Sequence, residues 1–267
     1  MKTLGIIGCG AIGSVIAEHI SNNLKAYVSR VNVCDLDQKK LEEVTSLCEL
    51  FVKTESVEAL IDSSDLVIEA ANPKVAAQTL SKCIDSGKDV IIISVGGLLG
   101  NEDLLERAEK QNVKVMLPSG AIAGIDAIKS AKISGIEEVT ITTRKPPLSL
   151  EGAPYIEQNN IDLSVIDKET IIFDGIASDA IKGFPKNINV SAVLSLAGIG
   201  TERTRVRIIV SPEFKTNSHE IVVKSKAGTI RTFTDNVPSP KNPKTSFLAA
   251  LSVISAVENY FKPIRIG

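Results

Sequence analysis

Tryptophan is absent from this chain of 267 residues, and histidine and methionine occur only twice each. The missing tryptophan excludes no fold class, but two histidines leave little material for a zinc centre and confine any imidazole chemistry to His19 or His219. Cys9, Cys34, Cys48 and Cys83 form no Cys-x-x-Cys pair. That spacing argues against a disulfide framework or a metal knuckle, and the four read as reduced, mostly buried thiols. No apolar run approaches the ~20 residues that span a bilayer; the longest stretches are 90–100 and 247–257. Neither sign of charge prevails, since 30 basic and 32 acidic residues are dispersed along the chain for a net charge of −2. A basic stripe for nucleic acid and an acidic tail are therefore both lacking. What remains is 43% hydrophobic residues, enough to build the core of one large or two moderate domains. The composition is that of a globular, cytoplasmic protein.

The run Leu4-Gly-Ile-Ile-Gly-Cys-Gly-Ala-Ile-Gly-Ser14 carries the strongest local signal. An apolar strand feeds into Gly8, Gly10 and Gly13, and then into a helix marked by Ile12, Val15, Ile16 and Ile20. In a dinucleotide-binding turn the first glycine makes the bend, the second leaves room for the pyrophosphate, and the third lets helix and strand pack closely. Ala11 and Ile12 lie at the helix N-terminus, whose N–H groups and partial positive charge favour the anion. This register also argues against reading the apolar N-terminus as a secretory leader. A second strand ends in Asp35, where a carboxylate accepts hydrogen bonds from the adenosine ribose. Asp35 favours NAD over NADP, while Lys39 and Lys40 would partly neutralise a 2′-phosphate and leave both cofactors open.

The first 118 residues alternate strand and helix. Strands are expected at 3–8, 28–34, 66–70, 90–94 and 113–117, and helices at 38–48, 57–61, 76–86 and 102–111. Unbroken apolar runs such as Val90-Ile-Ile-Ile93 suit strands covered on both faces, so a doubly wound parallel sheet is expected over 1–120. Beyond Gly124 the rhythm changes. Strands at 139–143, 171–173, 206–210, 219–224 and 229–234 predict an α+β domain over 121–242 with a mixed or antiparallel sheet, the last three strands close enough for a meander. Lys145 to Tyr155, with Pro146 and Pro147, reads as an irregular loop. A helix over 245–261, in the segment 243–267, is expected to pack back on the first domain.

His19 lies on the apolar stripe of the first helix and reads as structural. His219, in Asn217-Ser-His-Glu-Ile-Val-Val-Lys224, alternates onto the face of Ile221 and Val223. It is either a sheet histidine satisfied by a neighbour or a general acid/base facing an interdomain cleft, with an ordinary pKa near 6.5. Asn189 precedes the apolar run 190–197, where it either caps a helix or holds a nicotinamide or substrate amide. Lys182, Lys186, Arg203, Arg205 and Lys244 are cations available for substrate carboxylates, and composition singles out none of them.

Several blocks in order, Leu117-Pro-Ser-Gly-Ala-Ile-Ala-Gly-Ile-Asp-Ala127, Thr143-Arg-Lys-Pro-Pro147, Phe184-Pro-Lys-Asn-Ile-Asn-Val190, Asn217-Ser-His219 and Asn242-Pro-Lys-Thr-Ser246, resemble the L-aspartate dehydrogenase family over nearly the whole chain. That family shares its fold plan with homoserine dehydrogenases and dihydrodipicolinate reductases. The resemblance implies that His219 is the catalytic histidine and that Ala123 and Asn189 serve NAD(P). It further implies L-aspartate as substrate, iminoaspartate as first product, a link to quinolinate synthase in pyridine nucleotide biosynthesis, and a homodimer, for which an apolar sheet face in the second domain is expected. The paired-histidine segment of dihydrodipicolinate reductase is missing, and Lys145-Pro146 falls too late for the Glu-Lys-Pro of glucose–fructose type oxidoreductases. Homoserine dehydrogenase is the nearest enzyme alternative. A noncatalytic NAD(H)-sensing regulator is the alternative from another class, and would need neither His219 nor Asn189.

Overall fold

The structure, a computed structural model, describes residues 1–185, 188–240 and 242–264. Its chain divides into two compact units, one formed by Met1–Pro118 together with the residues from Ala250 on, the other by Ser119–Ala249.

The first unit contains β1 (Lys2–Ile7), α1 (Ala11–Asn23), β2 (Val28–Cys34), α2 (Gln38–Thr45), β3 (Phe51–Lys53), α3 (Val57–Asp62), β4 (Leu66–Glu69), α4 (Pro73–Asp85), β5 (Asp89–Ile92), α5 (Asp103–Lys110) and β6 (Val115–Met116). The strands form one parallel sheet in the order β3-β2-β1-β4-β5-β6, so the order reverses between β1 and β4. At such a switch point the loops leaving the strand ends diverge and open a crevice for a ligand. Strand β3 is too short for its alternation to be read from sequence. Helix α4 begins three residues earlier than its apolar pattern, because the Asn72 side chain accepts from the Lys74 N–H and Pro73 occupies the first turn.

The second unit contains α6 (Ile125–Ser134), β7 (Ile136–Lys145), α7 (Pro154–Gln158), β8 (Thr170–Ile176), α8 (Ala177–Gly183), α9 (Asn189–Ala197), β9 (Thr204–Val210), β10 (Asn217–Ser225), β11 (Gly228–Asn236), β12 (Pro238–Ser239) and β13 (Asn242–Ser246). Its main sheet is mixed, in the order β11-β10-β7-β9-β8. The expected three-strand meander is therefore corrected. Strands β10 and β11 are a hairpin, but β7 lies between β9 and β10, antiparallel to β10 and parallel to β9. The segment 211–216 is long enough to reach past one strand, whose neighbours stand about 4.8 Å away on each side. Lys145 is the last residue of β7 and not the start of an irregular loop; a short 3-10 turn at Pro147–Leu150 follows it. The face of this sheet opposite Ile221 carries ion pairs, Arg205 and Arg207 with Asp174 and Arg144 with Glu220, and exposes Ile171 and Phe233 on its two edge strands.

Helix α10 (Phe247–Phe261) closes the chain. Val253 and Val257 are buried in one cluster with Leu4, Ile6, Ile16 and Ile20 of the first unit. His19 Nε2 lies 3.0 Å from Glu258 Oε1, and the Tyr260 hydroxyl donates to Asp89 Oδ2 at 3.0 Å. His19 is thus a structural tie between α1 and α10. No helix among the described residues is long and apolar enough to cross a membrane.

Since Val257 is 1% exposed, Val257→Ala empties a close-packed site beneath α10. We expect it to cost about 2 kcal/mol of stability, read as a lower midpoint in urea unfolding.

Candidate active site

In the first unit the three glycines divide the labour expected of them. Gly8 follows β1 at φ +98°, and a Cβ there would lie 2.7 Å from the Ala70 carbonyl oxygen. A Cβ on Gly13 would lie 2.0 Å from the Gly8 carbonyl oxygen, so only glycine lets α1 approach the strand end. At Gly10 a Cβ would meet nothing within 4 Å. That open surface at the start of α1 is a cradle that a side chain would fill, and it fits a pyrophosphate approaching the backbone.

Asp35 secures this turn. Its Oδ2 accepts from the Cys9 N–H at 2.5 Å and its Oδ1 from the Asp37 N–H at 2.8 Å. The carboxylate is thereby fixed at the end of β2, with acceptor capacity remaining for ribose hydroxyls. Gly8, Gly10, Asp35, Leu36, Lys40 and Asn72 are among the residues lining a cavity of about 440 Å³. Lys40 Nζ stands 3.3 Å from Asp37, which occupies part of the charge that would meet a 2′-phosphate. Ala11 and Ile12 open α1 beside the turn. Cys9 is buried in the same turn, where burial, and then Asp35, pushes its thiol up to about 12, so it is an inert packing group rather than a nucleophile.

One residue of this edge escaped the sequence reading. Glu69, at the end of β4, is fully buried. Its Oε1 accepts from the Ala71 and Asn72 N–H groups and the Ser94 hydroxyl, and its Oε2 from the Ser94 N–H. Burial pushes the carboxyl up despite these donors. It joins the loops after β4 and β5; the available signal was a lone acid ending the apolar run Leu66-Val-Ile68.

In the second unit the sheet register assembles a polar patch. Asn217 stands opposite Asn236, and His219 stands between Thr234 and Thr143, with Lys145 two residues past Thr143 at the end of β7. With side chains alternating along each strand, these two rows share one face, and the next row continues it with Ile141 and Ile221. His219 Nδ1 and Thr143 Oγ1 are 2.9 Å apart, while Nε2 has no partner among the described residues. A neighbour thus satisfies one ring nitrogen of His219, as the first of the two sequence readings has it. Burial, and then the charge of Lys145, lowers the imidazole to about 4, well below the ordinary value expected from sequence. Lys145, 4% exposed, is itself lowered to about 8 by burial. The sequence reading did not place Lys145 beside His219, although Val139, Ile141, Thr143 and Lys145 form one alternating stripe.

The loop 119–124 is tied to this patch. The Ala121 carbonyl accepts from the Thr234 hydroxyl and the Asn236 amide, and the Ala123 carbonyl from the Thr232 hydroxyl. A Cβ on Gly120 of the same loop would lie 3.7 Å from Val190 in α9. Asn189 is the first residue of that helix, so the expected cap belongs instead to Ile188 and makes no side-chain bond. Lys182 pairs weakly with Asp179, and Arg205 is committed to Asp174. Arg203 donates to the Glu137 carbonyl. Lys186 and the side chain of Lys244 lie outside the described residues.

Residues 126–260 match the family described as aspartate dehydrogenase, C-terminal, and residues 8–118 match the homoserine dehydrogenase NAD binding domain. The chain is 44% identical to an L-aspartate dehydrogenase of Methanosarcina barkeri and 42% identical to one of Methanosarcina acetivorans, covering 100% of both chains in each case. Among solved structures, aspartate dehydrogenase from Thermotoga maritima matches with a TM-score of 0.79 at 25% identity, covering 100% of each chain. A homoserine dehydrogenase from Thiobacillus denitrificans matches at 0.59 and 13% identity, over 96% of this chain and 72% of that one, a likeness of fold alone.

The glycine geometry separates two substitutions. Gly10→Ala is expected to leave thermal stability unchanged and to weaken NADH binding about tenfold or more, ~1.4 kcal/mol. Gly13→Ala is expected to lower the melting temperature as well, at a cost of about 1–3 kcal/mol for the forced displacement. Fluorescence titration with NADH and thermal melting of each variant check both outcomes.

Proposed function

The chain belongs to the L-aspartate dehydrogenase family, and on that footing we propose that it oxidises L-aspartate to iminoaspartate with NAD(P), His219 carrying the proton. The observation that supports His219 most directly is its placement: a buried imidazole, neutral at pH 7, held at Nδ1 by Thr143 with Nε2 left for substrate.

L-Aspartate arrives as an ammonium, and the nitrogen must lose a proton before its lone pair can form the C=N bond. NAD(P), when bound, supplies the acceptor for the hydride leaving Cα. His219 Nε2 takes the ammonium proton in this reading. The carboxylates brought by the substrate offset the cationic field of Lys145, which strengthens the imidazole as a base at the moment it is needed. Gly8, Gly10, Ala11, Ile12, Gly13 and Asp35 hold the dinucleotide, and Ala123 and Asn189 complete its contacts. Asp35, already fixed by two backbone N–H groups, supports a preference for NAD.

Full-length relatedness supports aspartate dehydrogenase over a homoserine-specific enzyme or a noncatalytic sensor. Iminoaspartate hydrolyses in water to oxaloacetate and ammonia, so capture by quinolinate synthase is the route that preserves it. Exposed Phe233 and Ile171 on the sheet's opposite face support association as a homodimer.

NADH formation with L-aspartate, compared with homoserine, and NADH consumption with oxaloacetate plus ammonia, test the reaction. His219→Ala should lower kcat by roughly 10²- to 10⁴-fold with NADH affinity retained; unchanged turnover removes His219 from the mechanism. Because the free imidazole titrates at about 4 and the neutral form is the base, kcat/KM is expected to hold level down to about pH 5. A steady-state pH profile with an acidic limb centred near 6.5 would contradict this.

A further inference from the structure

The end of β4 carries a carboxylate that the proposed chemistry leaves unused. Glu69 pairs through its backbone with Ile7 of β1 and Ile92 of β5, so its side chain starts from the middle of the sheet, at the switch point. It is 0% exposed, and among the described residues no lysine or arginine pairs with it. Four dipoles meet its charge. Oε1 accepts from the Ala71 N–H at 2.9 Å, the Asn72 N–H at 3.1 Å and the Ser94 hydroxyl at 3.0 Å, and Oε2 from the Ser94 N–H at 3.0 Å. A carboxylate buried without a counter-cation disfavours folding relative to an apolar residue of its size. What it offers instead is two oxygens that only accept, serving donors on two loops at once.

The first of these loops is a wall of the dinucleotide cavity, for Ala70, Ala71 and Asn72 line it together with Gly8, Gly10 and Asp35. On one side a Cβ on Gly8 would lie 2.8 Å from the Ala71 Cα, and on the other a Cβ on Gly97 would lie 2.0 Å from the Pro73 carbonyl oxygen. The segment 70–73 is therefore packed backbone to backbone between the glycine turn and the 3-10 turn Val95–Leu98. Such contacts limit approach but leave sliding free. Hydrogen bonds to one fixed acceptor are directional, and they remove that freedom.

Resting on the dinucleotide site placed at the glycine turn, we propose that Glu69 is a positioning residue for the cofactor: it fixes the wall formed by residues 70–72 at the separation from Gly8 and Gly10 that the dinucleotide requires. Being wholly buried, it acts through the Ala71 and Asn72 N–H groups and Ser94, and does not touch the cofactor. A wall already held in the binding geometry spares the cofactor the cost of ordering it. The stability forgone by burying a charge is thus returned as affinity for the dinucleotide.

The test is made on the full-length protein. Glu69→Gln keeps the shape and replaces one acceptor oxygen by an NH2 group. With the amide oxygen toward Ala71 and Asn72, that NH2 opposes the Ser94 N–H, donor against donor; turned the other way, it opposes the Ala71 and Asn72 N–H groups. One loop is released in either case. NADH affinity, read by fluorescence titration, is expected to fall about tenfold. KM for NAD should rise by the same factor, with kcat at saturating NAD and KM for L-aspartate within about twofold of wild type. The melting temperature of the free protein should stay near wild type, because a buried charge is lost along with the bonds, while the rise in Tm that NADH produces should shrink. Ser94→Ala removes one donor and keeps the charge, and should weaken NADH about two- to threefold; it decides the matter if Glu69→Gln does not fold. Unchanged or tighter NADH binding overturns the assignment, as does a loss of kcat with KM for NAD unaltered. Gly10→Ala measured alongside separates the failures. If it too binds NADH like wild type, the dinucleotide does not lie at the glycine turn and both readings fall; if it alone weakens binding, only the role of Glu69 falls.

Discussion

The register between β7 and β10 is the constraint on which the chemistry of the second unit depends. Side chains alternate with a period of two, so a slip of β10 by one residue would carry Asn217 and His219 together to the face opposite Thr143. Apolar pairs prevent the slip. Ile141 faces Ile221 and Val139 faces Val223 in the same stripe, and all four are at most 1% exposed. Exposing them would forfeit roughly 1.5–3 kcal/mol for each side chain. The polar rows are thus held in place by the rows that are not polar.

Placing an amine and an imidazole at the end of a hydrophobic stripe costs stability and alters both groups. Burial favours the uncharged form of each, and the cationic form of one further disfavours that of the other. His219 therefore stays neutral with a lone pair available, while Lys145, starting from a higher intrinsic pKa, keeps its charge at neutral pH. One environment yields two protonation states, and the two groups can take different parts in one reaction. Glu69 in the first unit is buried in a contrasting way. Four donors surround its carboxylate, so its capacity is spent on loop geometry and little is left for a ligand.

Local features were legible in the sequence. Gly8, Gly10, Gly13 and Asp35 could be read because the turn, the helix start and the following strand end are set by residues close in the chain, and each glycine answers one steric demand. His219 was legible as to face, since alternation fixes that. Its pKa was not, because the shift comes from burial and from Lys145, which belongs to a strand more than seventy residues earlier. The same non-locality hid the β7 insertion between β9 and β10. Nothing in the short segment between those two strands reveals that a third will lie there. For Asn189 the sequence left a cap and an amide contact both open; the first falls away because α9 begins at Asn189 itself and Ile188 takes the cap position without a side-chain bond.

The glycine turn is shaped for an anion without a cationic side chain, and the reason lies in what such a turn must recognise. A pyrophosphate is the same in every dinucleotide, so backbone N–H groups at a glycine turn suffice and no cationic side chain is needed at Gly10. A substrate carboxylate must be told apart from an amide or a methyl group of similar size, and shape does that poorly. Discrimination requires a group that is left worse off by the wrong ligand.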